Sequence, residues 1–228
     1  MTREQIFEFF RRLAEANPEP ETELASGNTY QLLVAVVLSA QATDAGVNKA
    51  TRALFQEVRT PAEMVELGED GLKAHIRTIG LFNSKAKNVI ALSQQLLDLH
   101  GGEVPDSLAQ LTALPGVGRK TGNVVLNCAF GAETFAVDTH VFRVGNRTGL
   151  ARSKTPEAVE AKLEKRVPQP FRRHAHHWLI LHGRYTCKAR LPECWRCPVV
   201  DLCAYRPKVL ERPGKRPVAD ATVRARPA

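Results

Sequence analysis

Apolar residues recur along the chain at helical spacing. Near the start, Thr2 and Gln5 have the spacing of a capping box, and Ile6, Phe10 and Leu13 follow on one face of a helix. Three- and four-residue spacing continues through most of the chain, and no segment alternates apolar and polar residues at every second position. The pattern predicts an all-α fold of about ten helices.

One predicted helix is apolar on every side. All residues from Leu32 to Leu38 are apolar, and the length of the surrounding segment favours a buried helix over a strand. Polar Ser39, Gln41 and Asp44 end this helix and are candidates to line a pocket. The alternative interpretation is an ordinary helix end, with Asp44 capping the next helix.

A glycine-containing segment joins two further predicted helices. Residues 114–123 read Leu-Pro-Gly-Val-Gly-Arg-Lys-Thr-Gly-Asn, between a short helix over 106–113 and an apolar run that suits a buried helix. Gly116 and Gly118 allow a tight hairpin, and free N–H groups at the start of the second helix can bind a phosphate. A plain helical hairpin, in which the glycines serve only the turn, is the alternative.

The hairpin differs from the phosphate-binding loop of nucleotide hydrolases. Arg119 stands between Gly118 and Lys120, so the Gly-Lys-Thr junction of such a loop is absent, and no strand-like run precedes the segment. The sequence does not favour a nucleotide-binding site here.

The positive net charge of the chain indicates which class of partner it binds. Its 228 residues carry 32 Lys and Arg against 24 Asp and Glu, a formal net charge of +8 with a pI near 9.5. This excess favours a polyanion such as nucleic acid. Much of it lies in residues 206–228, whose prolines and scarce apolar residues predict a basic disordered tail.

The chain lacks the signals of a membrane or secreted protein. No apolar run reaches the length of a membrane span, and the N-terminus has no charged-then-apolar signal pattern. We therefore expect a cytoplasmic protein without membrane contact.

Four of the five cysteines lie close together near the C-terminus. Cys187, Cys194, Cys197 and Cys203 form the pattern Cys-x6-Cys-x2-Cys-x5-Cys. In a reducing compartment this density indicates a metal site rather than disulfides, and both zinc and a [4Fe–4S] cluster are chemically possible. Structural zinc sites usually pair two Cys-x2-Cys units, whereas only one is present, which favours the cluster. Cys128 is predicted to fill the core.

Several motifs in this order resemble those of the endonuclease III family of DNA glycosylases. They are the hairpin at 114–121, Val-Asp-Thr-His at 137–140 and the cysteine spacing, and the similarity extends from about residue 4 to about residue 205. The resemblance implies two helical domains with a cleft between them. The domains would be a six-helix domain with the helix-hairpin-helix over 22–133, and an iron–sulfur domain formed by 1–21 with 134–205.

The resemblance also implies a chemistry. Lys120 would be the amine nucleophile that attacks C1′ of a damaged nucleotide, after losing its proton, and Asp138 would stabilise the developing sugar cation or relay protons. The resulting Schiff base would allow β-elimination, which nicks the strand. The chain would then be a bifunctional DNA glycosylase and abasic-site lyase of base excision repair that removes oxidised pyrimidines. From the residues alone, Asp138 is predicted only to cap a helix.

Further site residues follow from the same resemblance. The partner would be double-stranded DNA with a damaged base or abasic site, bound by a monomer, and the damaged base must leave the stack to be reached. Backbone amides at Gly116 and Gly118 would hold the phosphate chain, and Gln41 and Leu81 would fill the gap left by the base. Lys85 and Arg184 are further candidate DNA contacts, and Ser39, Asp44 and His140 are candidate pocket residues.

Two alternatives and one departure from the family pattern stay open at this point. A monofunctional adenine or mismatch glycosylase would share the hairpin and cluster but lack the lysine nucleophile. A non-catalytic iron–sulfur DNA-binding module would lack the chemistry altogether. Gly122 stands where family members usually carry alanine, and a helical glycine costs about 1 kcal/mol relative to alanine, which predicts a looser turn around Lys120.

Overall fold

The secondary structure is entirely helical in residues 1–212, which the computed structural model describes. Because these residues contain no β-strand, the all-α prediction is confirmed. Most of the predicted basic tail, residues 213–228, lies outside the described residues. The ten α-helices are α1 (Arg3–Ala16), α2 (Thr29–Leu38), α3 (Asp44–Glu57), α4 (Pro61–Ile76), α5 (Phe82–His100), α6 (Leu108–Ala113), α7 (Arg119–Phe130), α8 (Thr139–Thr148), α9 (Pro156–Arg166) and α10 (Arg172–Tyr185). Short 3-10 helices cover Gln169–Phe171 and Cys194–Arg196.

The first core surrounds α2. Every residue from Tyr30 to Leu38 is buried, because α3, α5 and α7 all pack against this helix. The helix ends at Leu38, and the following turn contains Gln41 in the left-handed conformation with φ 55°. The apolar sequence of α2 is therefore explained by burial on all sides.

The second core joins the two ends of the chain. Phe9 and Phe10 of α1 pack with Phe135 and with Trp178 of α10, and both α1 phenylalanines are fully buried. The Trp178 indole N–H donates to the Asn17 carbonyl at 2.7 Å. Whether the chain divides into domains at residues 21 and 133 stays a prediction.

Helix α7 belongs to both halves of the molecule. Its residues Val125 and Leu126 pack in the first core. On another face, the Asn127 amide donates to the Ala132 carbonyl at 2.8 Å, and Arg173 of α10 donates to the Asn127 carbonyl. The helix that follows the glycine hairpin therefore forms much of the boundary between the two cores. In the part of the chain that the structure describes, no helix is long and apolar enough to cross a membrane.

Candidate active site

The glycine hairpin that connects α6 to α7 contains one residue with a positive φ. Gly116 has φ +77°, and a Cβ atom there would lie 3.0 Å from the Asn88 side chain on α5. Glycine is thus required at this position both by conformation and by the approach of α5. Gly118 has an ordinary φ of −88°, so its backbone conformation does not itself require glycine.

The first turn of α7 has no side-chain cap. Its N-cap is Gly118, which has no side chain to accept hydrogen bonds from the first-turn N–H groups. Other helices, such as α2 and α8, are capped by the side chains of Asn28 and Asp138. Lys120 lies in this uncapped first turn and is exposed. The first turn of α7 therefore combines N–H groups that no side chain caps with an exposed lysine.

Lys120 and Asp138 line a common cavity between the two cores. The cavity has a volume of about 70 Å³, and Ser39, Asp44 and Arg184 contribute to its walls. Four predicted site residues from separate parts of the sequence thus converge on Lys120. His140, the remaining predicted pocket residue, does not line this cavity; its Nδ1 lies 3.2 Å from Arg143 Nη2.

Asp138 combines two roles in one side chain. Its Oδ1 accepts hydrogen bonds from the backbone N–H groups of His140 and Val141, each at 2.8 Å, which confirms the predicted helix cap. Because both donors use Oδ1, the second carboxylate oxygen is available to the cavity. The cap fixes the carboxylate at the positive end of α8, which favours its negative charge.

Asp44 and Arg184 form an ion pair across the cavity. Arg184 Nη1 donates to Asp44 Oδ2 at 2.8 Å and also to Glu23, so this guanidinium is already paired with two carboxylates. Thr43, not Asp44, caps α3, and the capping interpretation of Asp44 is therefore wrong. Burial raises the pKa of Asp44, and the nearby Lys120 ammonium opposes that change.

Ser39 and the two predicted gap-filling residues, Gln41 and Leu81, differ in their surroundings. Ser39 lines the cavity and donates its hydroxyl to the Val36 carbonyl at 2.8 Å. In residues 1–212, Gln41 and Leu81 are the only non-glycine residues with positive φ, at 55° and 60°. Both side chains are exposed, Leu81 to 59%. Strained backbone with an exposed apolar side chain is unusual unless a ligand uses it.

Lys85 is buried without a partner in the first turn of α5. Its side-chain nitrogen has no hydrogen bond among the described residues, and burial lowers its pKa. Because this nitrogen is enclosed by protein, Lys85 would reach a DNA phosphate only after a rotation of its side chain.

Two histidines of the site were not found from the sequence. His176 and His177 of α10 line the cavity and are buried. Burial lowers the pKa of His176 to about 3 and that of His177 to about 4, so both rings are neutral. Adjacent histidines on an apolar helix were the only signal for them, and such a pair is ordinarily a core feature.

The four clustered cysteines surround a separate small cavity. Cys187, Cys194, Cys197 and Cys203 all line this cavity, and none of the four forms a disulfide. No group of three or more His, Cys, Asp or Glu residues in the described chain is arranged to hold a single metal ion. Sulfur donors spread around a cavity fit an iron–sulfur cluster better than one zinc ion.

Two arginines of α8 hold the cysteine loop. Arg147 donates to the carbonyls of Lys188 and Ala189, each at 2.7 Å, and its guanidinium lies 4.7 Å from the centre of the Tyr205 ring. Arg143, one turn earlier, donates to the Cys187 carbonyl at 3.0 Å. Both ends of the cysteine loop are therefore attached to the helix that begins beside Asp138.

Comparison with known proteins gives consistent results for sequence and structure. Residues 34–169 match the model of the HhH-GPD superfamily of base excision DNA repair proteins. The chain is 57% identical to endonuclease III of Escherichia coli K12 over 209 residues, which cover 92% of this chain and 99% of that protein. It is 56% identical to endonuclease III of Haemophilus influenzae over 209 residues, which again cover 92% of this chain and 99% of that protein.

Solved structures agree with these relatives. A trapped endonuclease III–DNA covalent intermediate matches with a TM-score of 0.83 and 45% sequence identity, covering 89% of this chain and 96% of that one. A thermostable thymine-DNA glycosylase, 24% identical, shares the fold with a TM-score of 0.78.

Proposed function

The chain belongs to the endonuclease III family and is a base-excision-repair DNA glycosylase and abasic-site lyase; we propose that Lys120 and Asp138 carry out its chemistry on oxidised pyrimidines in double-stranded DNA. One observation carries this proposal, namely that both side chains line the same cavity between the two cores. The presence of a lysine at this point favours the bifunctional enzyme over a monofunctional glycosylase.

Lys120 is the nucleophile in this proposal. Its neutral amine attacks C1′ of the damaged nucleotide, the C1′–N bond breaks, and the base leaves with a proton. The C1′–O4′ bond then breaks, O4′ takes up a proton, and a protonated Schiff base forms between Nζ and C1′. This Schiff base acidifies the hydrogen on C2′, and loss of that proton breaks the C3′–O bond and expels the 3′ phosphate. Lys120 is exposed, so its side chain can reach C1′ of a bound nucleotide.

The rest of the cavity orients the sugar and base. The free oxygen of Asp138 faces the positive charge that develops on the sugar, while its capped oxygen keeps the carboxylate in place. The neutral rings of His176 and His177 and the Asp44–Arg184 pair form a polar wall for the extruded base. Ser39 lies on the same wall.

DNA contacts are proposed on the surface around the cavity. Amides at Gly116 and Gly118 and the unpaired Lys85 would bind backbone phosphates, which position the DNA without reading its sequence. Gln41 and Leu81 would occupy the gap in the duplex, since their strained loops hold the side chains outward. One chain provides all these groups, and we propose that it acts as a monomer. Arg184 would meet DNA only by exchanging its carboxylate partners.

A [4Fe–4S] cluster is proposed in the cysteine-lined cavity. Cys187, Cys194, Cys197 and Cys203 would bind its four irons through their thiolates. When bound, the cluster supplies a rigid crosslink among four points of an irregular loop. Arg143 and Arg147 hold that loop on α8, so the cluster would stabilise the half of the molecule that carries Asp138.

Borohydride trapping on an abasic-site duplex tests the proposed nucleophile. Borohydride reduces a Schiff base to a stable protein–DNA adduct, which we expect from the wild type and not from Lys120→Ala. Lys87→Ala removes a lysine of α5 outside the cavity and is the matched control, with adduct formation retained. An adduct that forms equally with Lys120→Ala would reject this lysine as the nucleophile.

A further inference from the structure

A polar stripe runs along the face of α7 that meets the second half of the molecule. Arg119, Asn123 and Asn127 follow at four-residue intervals and so share one face of the helix. Thr134 donates its hydroxyl to the Asn123 carbonyl at 2.6 Å, and the Asn127 amide donates to the Ala132 carbonyl at 2.8 Å. Directed hydrogen bonds, rather than apolar packing, therefore set the rotation of α7 about its axis on this side.

The first two members of the stripe share one acceptor, Glu160 of α9. Arg119 Nη2 donates to Glu160 Oε1 at 2.7 Å, and Asn123 Nδ2 donates to the same oxygen at 3.1 Å. The Glu160 side chain is only 8% exposed, although that of Arg119 is 58% exposed. A carboxylate this buried needs its donors, because an unpaired one would be costly.

Lys120 lies between the two donors that bind Glu160. Successive residues of an α-helix are rotated by about 100°, so fixing residues 119 and 123 also fixes the direction in which residue 120 points. Among the described residues, Arg119 and Asn123 are the hydrogen-bond partners of the Glu160 carboxylate, and Lys120 forms neither a hydrogen bond nor an ion pair with it. Glu160 acts on the turn rather than on the amine.

Helix α9 also packs against α8, which begins at Asp138. A Cβ atom added to Gly145 of α8 would lie 3.5 Å from the Val159 side chain, the residue next to Glu160. One helix thus contacts the turn that carries Lys120 and the helix that carries Asp138. The separation of the two groups across the cavity depends on α9.

We propose that Glu160 is a positioning residue that holds the Lys120 turn against the Asp138 helix in the geometry required for attack on C1′. This inference rests on the proposed function of Lys120. Buried ion pairs add little to stability when compared with apolar replacements, which makes a structural role alone a weak explanation for this one. Misplacing a reacting group by about 1 Å can cost on the order of a hundredfold in rate.

Single-turnover trapping at saturating abasic-site duplex tests this role, with DNA affinity measured separately. For Glu160→Ala we expect trapping to be slower by about tenfold or more, with the dissociation constant for DNA within about twofold of the wild type. Glu160→Gln keeps the shape and one accepting oxygen but loses the charge, so we expect a rate about threefold below the wild type. Glu164→Ala removes an exposed carboxylate one turn further along α9 and should trap at the wild-type rate.

Several outcomes would overturn the proposal. Wild-type trapping by a folded Glu160→Ala would do so, as would a loss of DNA affinity that matches the loss of rate. If Glu160→Ala does not fold, a wild-type rate in Glu160→Gln decides against the role. Absence of an adduct from the wild type would instead reject the Lys120 chemistry and this inference together, so the two failures are distinguishable.

Discussion

The two halves of the molecule are held together by different forces. The first core is a set of apolar side chains around α2, in which Leu33 and Leu38 are completely buried. The second half has a smaller apolar core and relies on arginines that donate to backbone carbonyls, such as Arg147 to the cysteine loop and Arg172 to Val167 at 3.1 Å.

This difference follows from how regular each half is. Helices satisfy most of their own carbonyls, so the first half is held mainly by apolar contacts, with a few side-chain hydrogen bonds such as those from Gln31 to the carbonyls of Phe55 and Val58. The second half contains the irregular loop over 186–205, whose carbonyls require donors from other elements. Guanidinium groups supply several donors each, and the proposed cluster supplies the remaining crosslinks. The half with less regular structure therefore depends on side-chain chemistry for its order.

Replacement of a proposed cluster ligand should give the largest difference in stability between the two halves. Cys197→Ser is expected to lose iron and to destabilise the second half by more than about 4 kcal/mol, as loss of a bound metal group typically does. Hydrogen exchange should show lost protection over 186–205 and retained protection in α2. Cys128→Ser, outside the loop, is the control and should keep its iron. A Cys197→Ser protein with full iron content and unchanged protection would contradict the cluster assignment.

Acid should weaken the second half before the first. The pKa values of His176 and His177 are lowered to about 3 and about 4 in the folded chain, whereas an unfolded histidine titrates near 6.5. Below about pH 6.5 the unfolded chain therefore binds more protons, and the free energy of unfolding falls as the pH drops towards 4.

Denaturant titrations between pH 7.5 and pH 5 would measure this slope. His177→Gln removes one of the two groups, and its free energy of unfolding should depend less steeply on pH than that of the wild type. An identical slope in the variant would show that His177 does not contribute. Hydrogen exchange at pH 5 should locate the loss in α10, while α2 stays protected.

The smallest expected effect concerns Gly122, at the contact of α6 with α7. An added Cβ would lie 2.8 Å from Leu108 Cδ1, the end of a flexible and only half-buried side chain. The clash is relieved by a rotation of Leu108, and alanine gains about 1 kcal/mol of helix propensity. We expect Gly122→Ala to raise Tm by about 2–4 °C, measured by circular dichroism. A lower Tm would show that Leu108 cannot move.

Local features of the fold and site were predictable from the sequence, and long-range pairs were not. The cap at Asp138 depends on residues within a few positions of each other. The family resemblance of the motifs identified Lys120 and the four clustered cysteines as candidate site residues. By contrast, Glu160 meets Arg119 across 41 positions in the sequence, and neither residue carries a local signal of the other. Arg184 and Asp44 are likewise far apart in the sequence, and neither residue carries a local signal of the other.

Gln41 shows a second reason for the limit. Its backbone is left-handed, although the residue is not a glycine, asparagine or aspartate, the types that commonly indicate this conformation in a sequence. Such strain is determined by packing rather than by the residue itself, so periodicity and turn preferences miss it.

The sharing of α7 between both cores has a mechanical consequence for how lesions are found. A change in the width of the cavity would have to break contacts that hold α7 on both sides, the apolar packing on one face and the Arg119–Glu160 pair on the other. Bending and unstacking of the DNA, which cost least where a damaged base stacks poorly, would then supply most of the deformation.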